Sequence, residues 1–394
     1  MTTTLLTFLG RVPKGENGYR KTRYDFGDGG PSDPVAFLGW PLQERLGSQR
    51  LVIMGTAGSM WDHLFEGDLA FPQETEEGRL KLIDAVEKHA VTADLLSPLK
   101  GPLSERLGCK ARLVLIPYCR SDREQVDLLR IMAEHVERGD GVHIDITHGF
   151  RHLPAIALLA ALYLGVVRSA RIRGIWYGAW DPDTNDAQVI NLIGLLRVAK
   201  WIQALHTYDK DGDYGVFSPL LGRHGGLLER AAFFERTSNP VEARKKLFSW
   251  AEQNDRSPFD DPAAELFRGE LEERISWYRR PDRPSWEREL AARFLDQRDY
   301  VRAAIYGLEA VISTEIAREG GNVGRIRDRE GVREHLRSRL PEFETLYRLR
   351  NAMAHGVRSS DSSIEAALKD EASLQKTLRR LLMELLNKQK SKGA

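Results

Sequence analysis

Six consecutive residues, Arg350-Asn351-Ala352-Met353-Ala354-His355, carry the sharpest chemical signal in the chain. An imidazole titrating near neutrality can move a proton, and a neighbouring guanidinium can hold the charge of a phosphoryl group in transition. The bare spacing Arg-x-x-x-x-His is weak. With ten His, about one match is expected by chance, and three occur: Arg130/His135, Arg138/His143 and Arg350/His355. Requiring Asn directly after the Arg lowers the expectation to about 0.02, and only the third match passes. On a helix Asn351 and His355 share a face, while Arg350 is offset but long enough to reach round. Ala352, Met353 and Ala354 leave a surface small enough to pack on a neighbour. Gly356 is a good helix-ending residue, which puts His355 at a C-terminus whose dipole favours the imidazolium. The same residues would also make an ordinary helix end, with a C-cap His and a surface Arg.

A second group combines small residues, hydroxyls and Arg: Gly10-Arg11, Gly55-Thr56-Ala57-Gly58-Ser59-Met60-Trp61 and Thr147-His148-Gly149-Phe150-Arg151. Backbone N–H groups, hydroxyls and guanidinium suit phosphate or ribose. There is no G-x-G-x-x-G and no Walker pattern, so nicotinamide binding and ATP hydrolysis have no support. Thr56 and Ser59 also read as turn or N-cap residues, and His148 as a plain cap of the next helix.

These groups sit at the ends of regular elements. Thr4–Leu9, Leu51–Met54, Ala111–Ile116, Val142–Ile146 and Arg171–Tyr177 read as strands. Between the third and fourth lies an amphipathic helix with Val126, Leu129, Ala133 and Val136 on one face. Strands separated by helical crossovers imply a mainly parallel, Rossmann-like sheet, whose ligand crevice lies at the strands' carboxyl ends. The polar break Asp209–Gly215 and the Pro-rich run Arg279–Pro284 divide the chain into 1–208, a helical connecting stretch 209–285, and 286–394. The last part reads as a helical bundle: Glu287–Asp296, Tyr300–Arg318, Val332–His355 (broken or kinked at Pro341) and Ser363–Lys388. The fold class is therefore α/β plus all-α.

Composition narrows the classes further. The 394 residues are 42% hydrophobic and 29% charged, as in a globular chain, with room for two or three domains. The longest apolar run, Leu153–Val167, contains Pro154 and falls short of the roughly 20 residues a bilayer requires. The segment Met1–Leu6 does not read as a signal peptide, and two cysteines, Cys109 and Cys119, make neither a disulfide framework nor a four-cysteine zinc site. The expected location is the cytoplasm. Net charge is +1, yet 43 Arg against 15 Lys leaves phosphate recognition open alongside plain codon bias. Arg325, Arg327, Arg329, Arg333, Arg337 and Arg339 could guide an RNA backbone. Their interspersed Asp328, Glu330 and Glu334 favour a solvated, ion-paired face. Trp176 and Trp180 read as core or dimer contacts, and Asp181-Pro182-Asp183 as a turn.

The combination resembles the CRISPR-associated CARF–HEPN ribonucleases, ancillary effectors of type III CRISPR systems. The HEPN signature R-N-x-x-x-H is matched at Arg350, Asn351 and His355, and Phe294–Ala304 resembles that fold's opening helix pair. The CARF resemblance rests on Thr4–Gly10, Gly55–Asp62 and Asp145–Arg151. It implies a homodimer, or a higher oligomer, that binds a cyclic oligoadenylate on its two-fold axis. The residues implied to face this activator are Gly10, Arg11, Thr56, Ser59, His148, Gly149 and Arg151. Cyclic tetra-adenylate is the favoured ring and cyclic hexa-adenylate the second choice. The resemblance also implies metal-independent cleavage of single-stranded RNA at a composite site of two chains. There Arg350 stabilises phosphorane charge, His355 moves a proton and Asn351 orients the site. Coupling is expected to run through 209–285. Two other readings stand beside this one: a non-catalytic nucleotide-sensing regulator that contacts nucleic acid or protein, and a sensor domain that slowly cleaves its own activator.

Overall fold

The computed structural model describes residues 2–16, 18–66, 76–149, 152–255, 258–356 and 361–388. Two compact units result, Met1–Leu196 and Arg197–Ala394. The first is built on strands β1 (Thr3–Leu9), β2 (Lys14–Gly15), β3 (Gly18–Tyr19), β4 (Arg23–Asp25), β5 (Arg50–Gly55), β6 (Lys110–Leu115), β7 (Gly141–Asp145), β8 (Arg171–Trp180) and β9 (Asp186–Asn191). Seven of them form one sheet in the order β4-β9-β8-β7-β1-β5-β6, while β2 and β3 pair apart as a hairpin. All neighbours in the sheet run parallel except β8 and β9. The five expected strands appear within a few residues of their predicted bounds. The Asp181–Asp183 turn joins β8 to β9, a strand that polar Asp186, Gln188 and Asn191 hid from the sequence reading.

Alternation along the central strands gives each face of the sheet its own core. Leu5, Leu51, Ile53 and Leu113 face one cluster, and Leu6, Phe8, Val52, Met54 and Ile144 the other. Burying each such side chain contributes about 1.5–3 kcal/mol, and two covered faces make near-continuous apolar strands the stable choice. The crossover helix Asp122–Glu134 forms as expected, but its buried residues are Leu128, Met132 and Ala133. Of the expected face, Ala133 and Val136 are buried and Leu129 packs against the same core, while Val126 is 65% exposed and faces solvent. Among the described residues no helix is long and apolar enough to cross a membrane.

The second unit is helical. Pro341 takes the first position of its helix, where its missing N–H costs nothing, and splits the expected Val332–His355 run into Ile326–Arg339 and Pro341–His355. The opening pair is Arg283–Asp296 and Tyr300–Arg318, with the Asp299 side chain accepting from the Arg302 amide as N-cap. Residues on both sides of position 285 share one hydrophobic core, in which Trp277 meets Trp286 and Phe294 stacks on Tyr306.

An ionic cluster is set into that core. Ser313 Oγ donates to Glu287 Oε2 at 2.6 Å, Arg283 Nε donates to Oε1 at 2.7 Å, and Arg329 donates to Ser313 Oγ, the Val323 carbonyl and Glu309. Burial pushes the Glu287 carboxyl up, against the pull of Arg283, Ser313 and Arg329. Arg329 is thus a buried tie between three helices, which corrects the expectation that it belongs to a solvated face. Removing one partner from such a cluster strands a buried charge. Arg329→Met should destabilise the protein by about 3 kcal/mol. Exposed Arg327→Ala should stay within about 0.5 kcal/mol in the same denaturant melt.

Candidate functional site

From β1 the chain moves outward through β5 and β6, then returns to place β7 and β8 on the other side of β1. The strand order therefore reverses between β1 and β7, and the residues directly beyond their carboxyl ends include Gly10 and Gly149. The two backbones touch: a Cβ on Gly10 would stand 2.5 Å from the Gly149 nitrogen. Gly149 has φ +135°, a region that favours glycine. Buried Asp145 sets the second loop, accepting from Thr7 Oγ1 at 2.7 Å and from the Thr147 amide at 2.9 Å. Burial raises its pKa while those donors hold it down.

Gly10, Arg11, Thr56, Ser59 and Gly149 line one cavity of about 720 Å³. Its rim is tied together by the Met60 amide, which donates to the Gly10 carbonyl at 2.9 Å. The Thr56 and Ser59 hydroxyls are buried. Ser59 Oγ accepts from the Thr56 amide at 2.9 Å and lies 3.3 Å from Thr56 Oγ1, so the pair closes the turn as well as facing the cavity. Trp61 Nε1 donates to the Thr56 carbonyl at 2.9 Å. Fully buried Asp62 accepts from Tyr19 Oη and Lys14 Nζ at 2.6 and 2.8 Å, which pins the β2–β3 hairpin to the same turn. Arg11 is exposed, and among the described residues its guanidinium meets no carboxylate.

His148 does not cap the following helix. Its Nε2 accepts from the Leu38 amide at 3.2 Å and lies 3.2 Å from the Tyr24 hydroxyl, which fixes the lone pair on Nε2. It lines a smaller cavity of about 290 Å³ with Arg20, Tyr24 and Trp180. Trp180 is partly exposed beneath the Arg20 guanidinium, and Trp176 donates to His143 Nδ1. Arg151 and Phe150 lie outside the described residues.

In the second unit Arg350, Asn351 and His355 occupy the last turns of the Pro341–His355 helix. Gly356 adopts φ +63° and donates its N–H to the Ala352 carbonyl, ending the helix as expected. His355 is exposed, and Asn351 and Arg350 are half-buried. The Arg350 guanidinium lies 5.0 Å from the Tyr347 ring centroid, and its buried Nε has no hydrogen-bond partner among the described residues. Five residues along a helix amount to about 140° of rotation, so Arg350 is offset from the face that Asn351 and His355 share.

Residues 4–181 match the family model described as CRISPR system endoribonuclease Csx1, CARF domain. The chain thus resembles CRISPR-associated proteins over its CARF-like first unit. It is similar to the CRISPR-associated protein MJ1674 of Methanocaldococcus jannaschii, 24% identical over 198 residues, which cover 46% of this chain and 31% of the relative. The chain thus matches about a third of the length of that curated relative.

Three residues of the CARF cavity escaped the sequence reading: His89, Tyr118 and Arg120. Tyr118 and Arg120 follow the third predicted strand, where the carboxyl-end rule already pointed. His89 had no signal, because nothing in its neighbourhood marks the loop that brings it there. The buried state of His148 has a measurable consequence. Burial, with His63 and Arg20 nearby, pushes its pKa down from 6.5 to about 3. The unfolded chain therefore takes up a proton first, and the stability is fully present above about pH 6.5 and is lost as the pH falls toward 3. His148→Gln should lower the melting temperature at pH 7.5 yet shrink its fall between pH 7.5 and 5. An undiminished fall would contradict this assignment.

Proposed function

We propose that the chain is a cyclic-oligoadenylate-activated, metal-independent endoribonuclease that cuts single-stranded RNA in type III CRISPR antiviral defence. The observation that carries this reading is a pairing on one chain. A CARF domain with a glycine crevice at its strand-order reversal is joined to a helical unit in which one helix ends Arg350-Asn351-Ala352-Met353-Ala354-His355-Gly356. Residues 1–208 act as sensor, 209–285 as connector and 286–394 as a HEPN-type nuclease in the cytoplasm.

In the sensor, Gly10 and Gly149 admit the ligand backbone to the crevice, and Arg11 and Arg151 supply phosphate charge. Thr56 and Ser59 shape the intervening turn and offer hydroxyls, while His148 holds the Thr147–Gly149 loop against the segment that follows β4. Cyclic tetra-adenylate is the favoured activator, with cyclic hexa-adenylate second. A second copy of the chain completes both sites. The Leu153–Val167 helix supports this, because its outer face is apolar at Leu159, Tyr163 and Val166, the last 79% exposed. So does the angular separation of Arg350 from His355, which two copies overcome by facing one another.

At the nuclease site the RNA 2′-hydroxyl attacks the adjacent phosphorus and the P–O5′ bond breaks. The products are a 2′,3′-cyclic phosphate and a 5′-hydroxyl. His355 takes or returns the proton moved in this exchange, Arg350 stabilises the charge gathering on the phosphorane oxygens, and Asn351 orients the site. The free N–H of Arg350 Nε supports a role as donor.

The test is cleavage of a fluorescent single-stranded RNA in EDTA, with and without each ring. Cleavage should appear only with a ring, and Arg350→Ala or His355→Ala should each lower it about 100-fold or more. Binding of a ring without any cleavage would favour the non-catalytic regulator instead. Cleavage untouched by either substitution would place the active site elsewhere.

A further inference from the structure

His89, Tyr118 and Arg120 form a wall of the CARF cavity that has no part in the reading above. Tyr118 and Arg120 lie just beyond β6, with the Arg120 guanidinium 4.7 Å from the Tyr118 ring centroid. The Glu124 carboxylate accepts from the Arg120 amide at 2.8 Å, and among the described residues the guanidinium itself makes no ion pair. Arg11 shows the same lack of a counter-charge beyond β1. With β5 between them, β1 and β6 are about 10 Å apart at the loop bases, given a spacing of about 4.8 Å per strand. Two uncompensated cations so placed fit a ligand with separated anionic groups.

His89 completes the wall from a third direction. It has φ +54°, a conformation uncommon for a non-glycine residue. The segment is held by hydrogen bonds, among them His89 N–H to the Val86 carbonyl at 3.2 Å, Ala90 N–H to the Ala85 carbonyl at 2.8 Å, and Val91 N–H to the Ala57 carbonyl at 3.3 Å. The last of these ties it to the Thr56–Ser59 turn. A Cβ on Gly58 would stand 1.9 Å from His89 Nδ1, so the imidazole lies against bare glycine backbone. The side chain is exposed, and its placement serves no core.

The geometry points to a nucleotide subsite on this wall: the planar rings of His89 and Tyr118 take one nucleobase of the ligand, and Arg120 takes a phosphate. This rests on reading the cavity as the cyclic-oligoadenylate site, and it adds the residues that grip one unit of the ring. The unpaired guanidinium supplies charge, and the two rings supply the flat surfaces on which any base can stack.

Calorimetric titration of the full chain with cyclic tetra-adenylate and cyclic hexa-adenylate, at low and high salt, tests this. His89→Asn keeps a residue that tolerates the left-handed backbone and should weaken binding about tenfold with its salt dependence unchanged. Gly58→Ala displaces the imidazole without removing it and should reproduce that loss. Arg120→Gln should weaken binding by a similar factor and flatten the salt dependence, because one screened charge pair is gone. Melting temperatures should match wild type, since both His89 and Arg120 are exposed. If the wild type binds a ring while all three variants stay within twofold of it, the subsite is overturned and the sensor function stands. If the wild type binds neither ring, both fall.

Discussion

A crevice can open at the centre of this sheet only because two glycine backbones meet there. The chain reverses its strand order between β1 and β7, and at that point Gly10 and Gly149 approach so closely that one added carbon would collide with a backbone nitrogen. Everything around the contact is arranged to hold it. Asp145 fixes one loop through Thr7 and Thr147, Met60 clamps the other through the Gly10 carbonyl, and Asp62 pins the β2–β3 hairpin to the turn that follows β5. Burying Asp62 and Asp145 costs solvation, which the charge-assisted donors offset. A core position built only for stability would take a well-packed apolar side chain instead.

Charge is distributed with the same logic. Most arginines of the helical unit are committed: Arg329 inside its ionic cluster, Arg337 to Glu344, Arg339 to Glu315, and Arg348 to Asp361. The exposed pairs among these contribute at most about 1 kcal/mol each, so they shape the surface more than they stabilise it. At the CARF cavity the Arg11 and Arg120 guanidinium groups make no ion pair among the described residues and stand beside an opening of about 720 Å³.

Much of this was legible in the residues. Continuous apolar strands, each stopped by a Gly, Pro or hydroxyl-bearing turn, were enough to place the sheet, and Pro341 was enough to split its helix. The glycines and hydroxyls of the crevice could be found because strand ends are where parallel sheets hold ligands. What stayed hidden depends on contacts distant in sequence. No local pattern shows that Arg329 turns inward to Glu287 and Glu309, that His148 accepts from Leu38, or that His89 leans on Gly58. Val126 was misplaced because an apolar residue at helical spacing need not face the sheet, and β9 was missed because its polar side chains point outward.

We propose that ligand in the glycine crevice switches on chemistry at the Arg350–His355 helix end. The most direct measurement is RNA cleavage by Gly10→Ala beside wild type across a titration of cyclic tetra-adenylate, with melting temperatures recorded for both. The added methyl group pushes Gly149 aside and reshapes the crevice while leaving the helical unit untouched. A folded Gly10→Ala protein should require at least about tenfold more ring for half-maximal cleavage, at an unchanged low rate without ring. Activation of Gly10→Ala at the same ring concentration as wild type would contradict it.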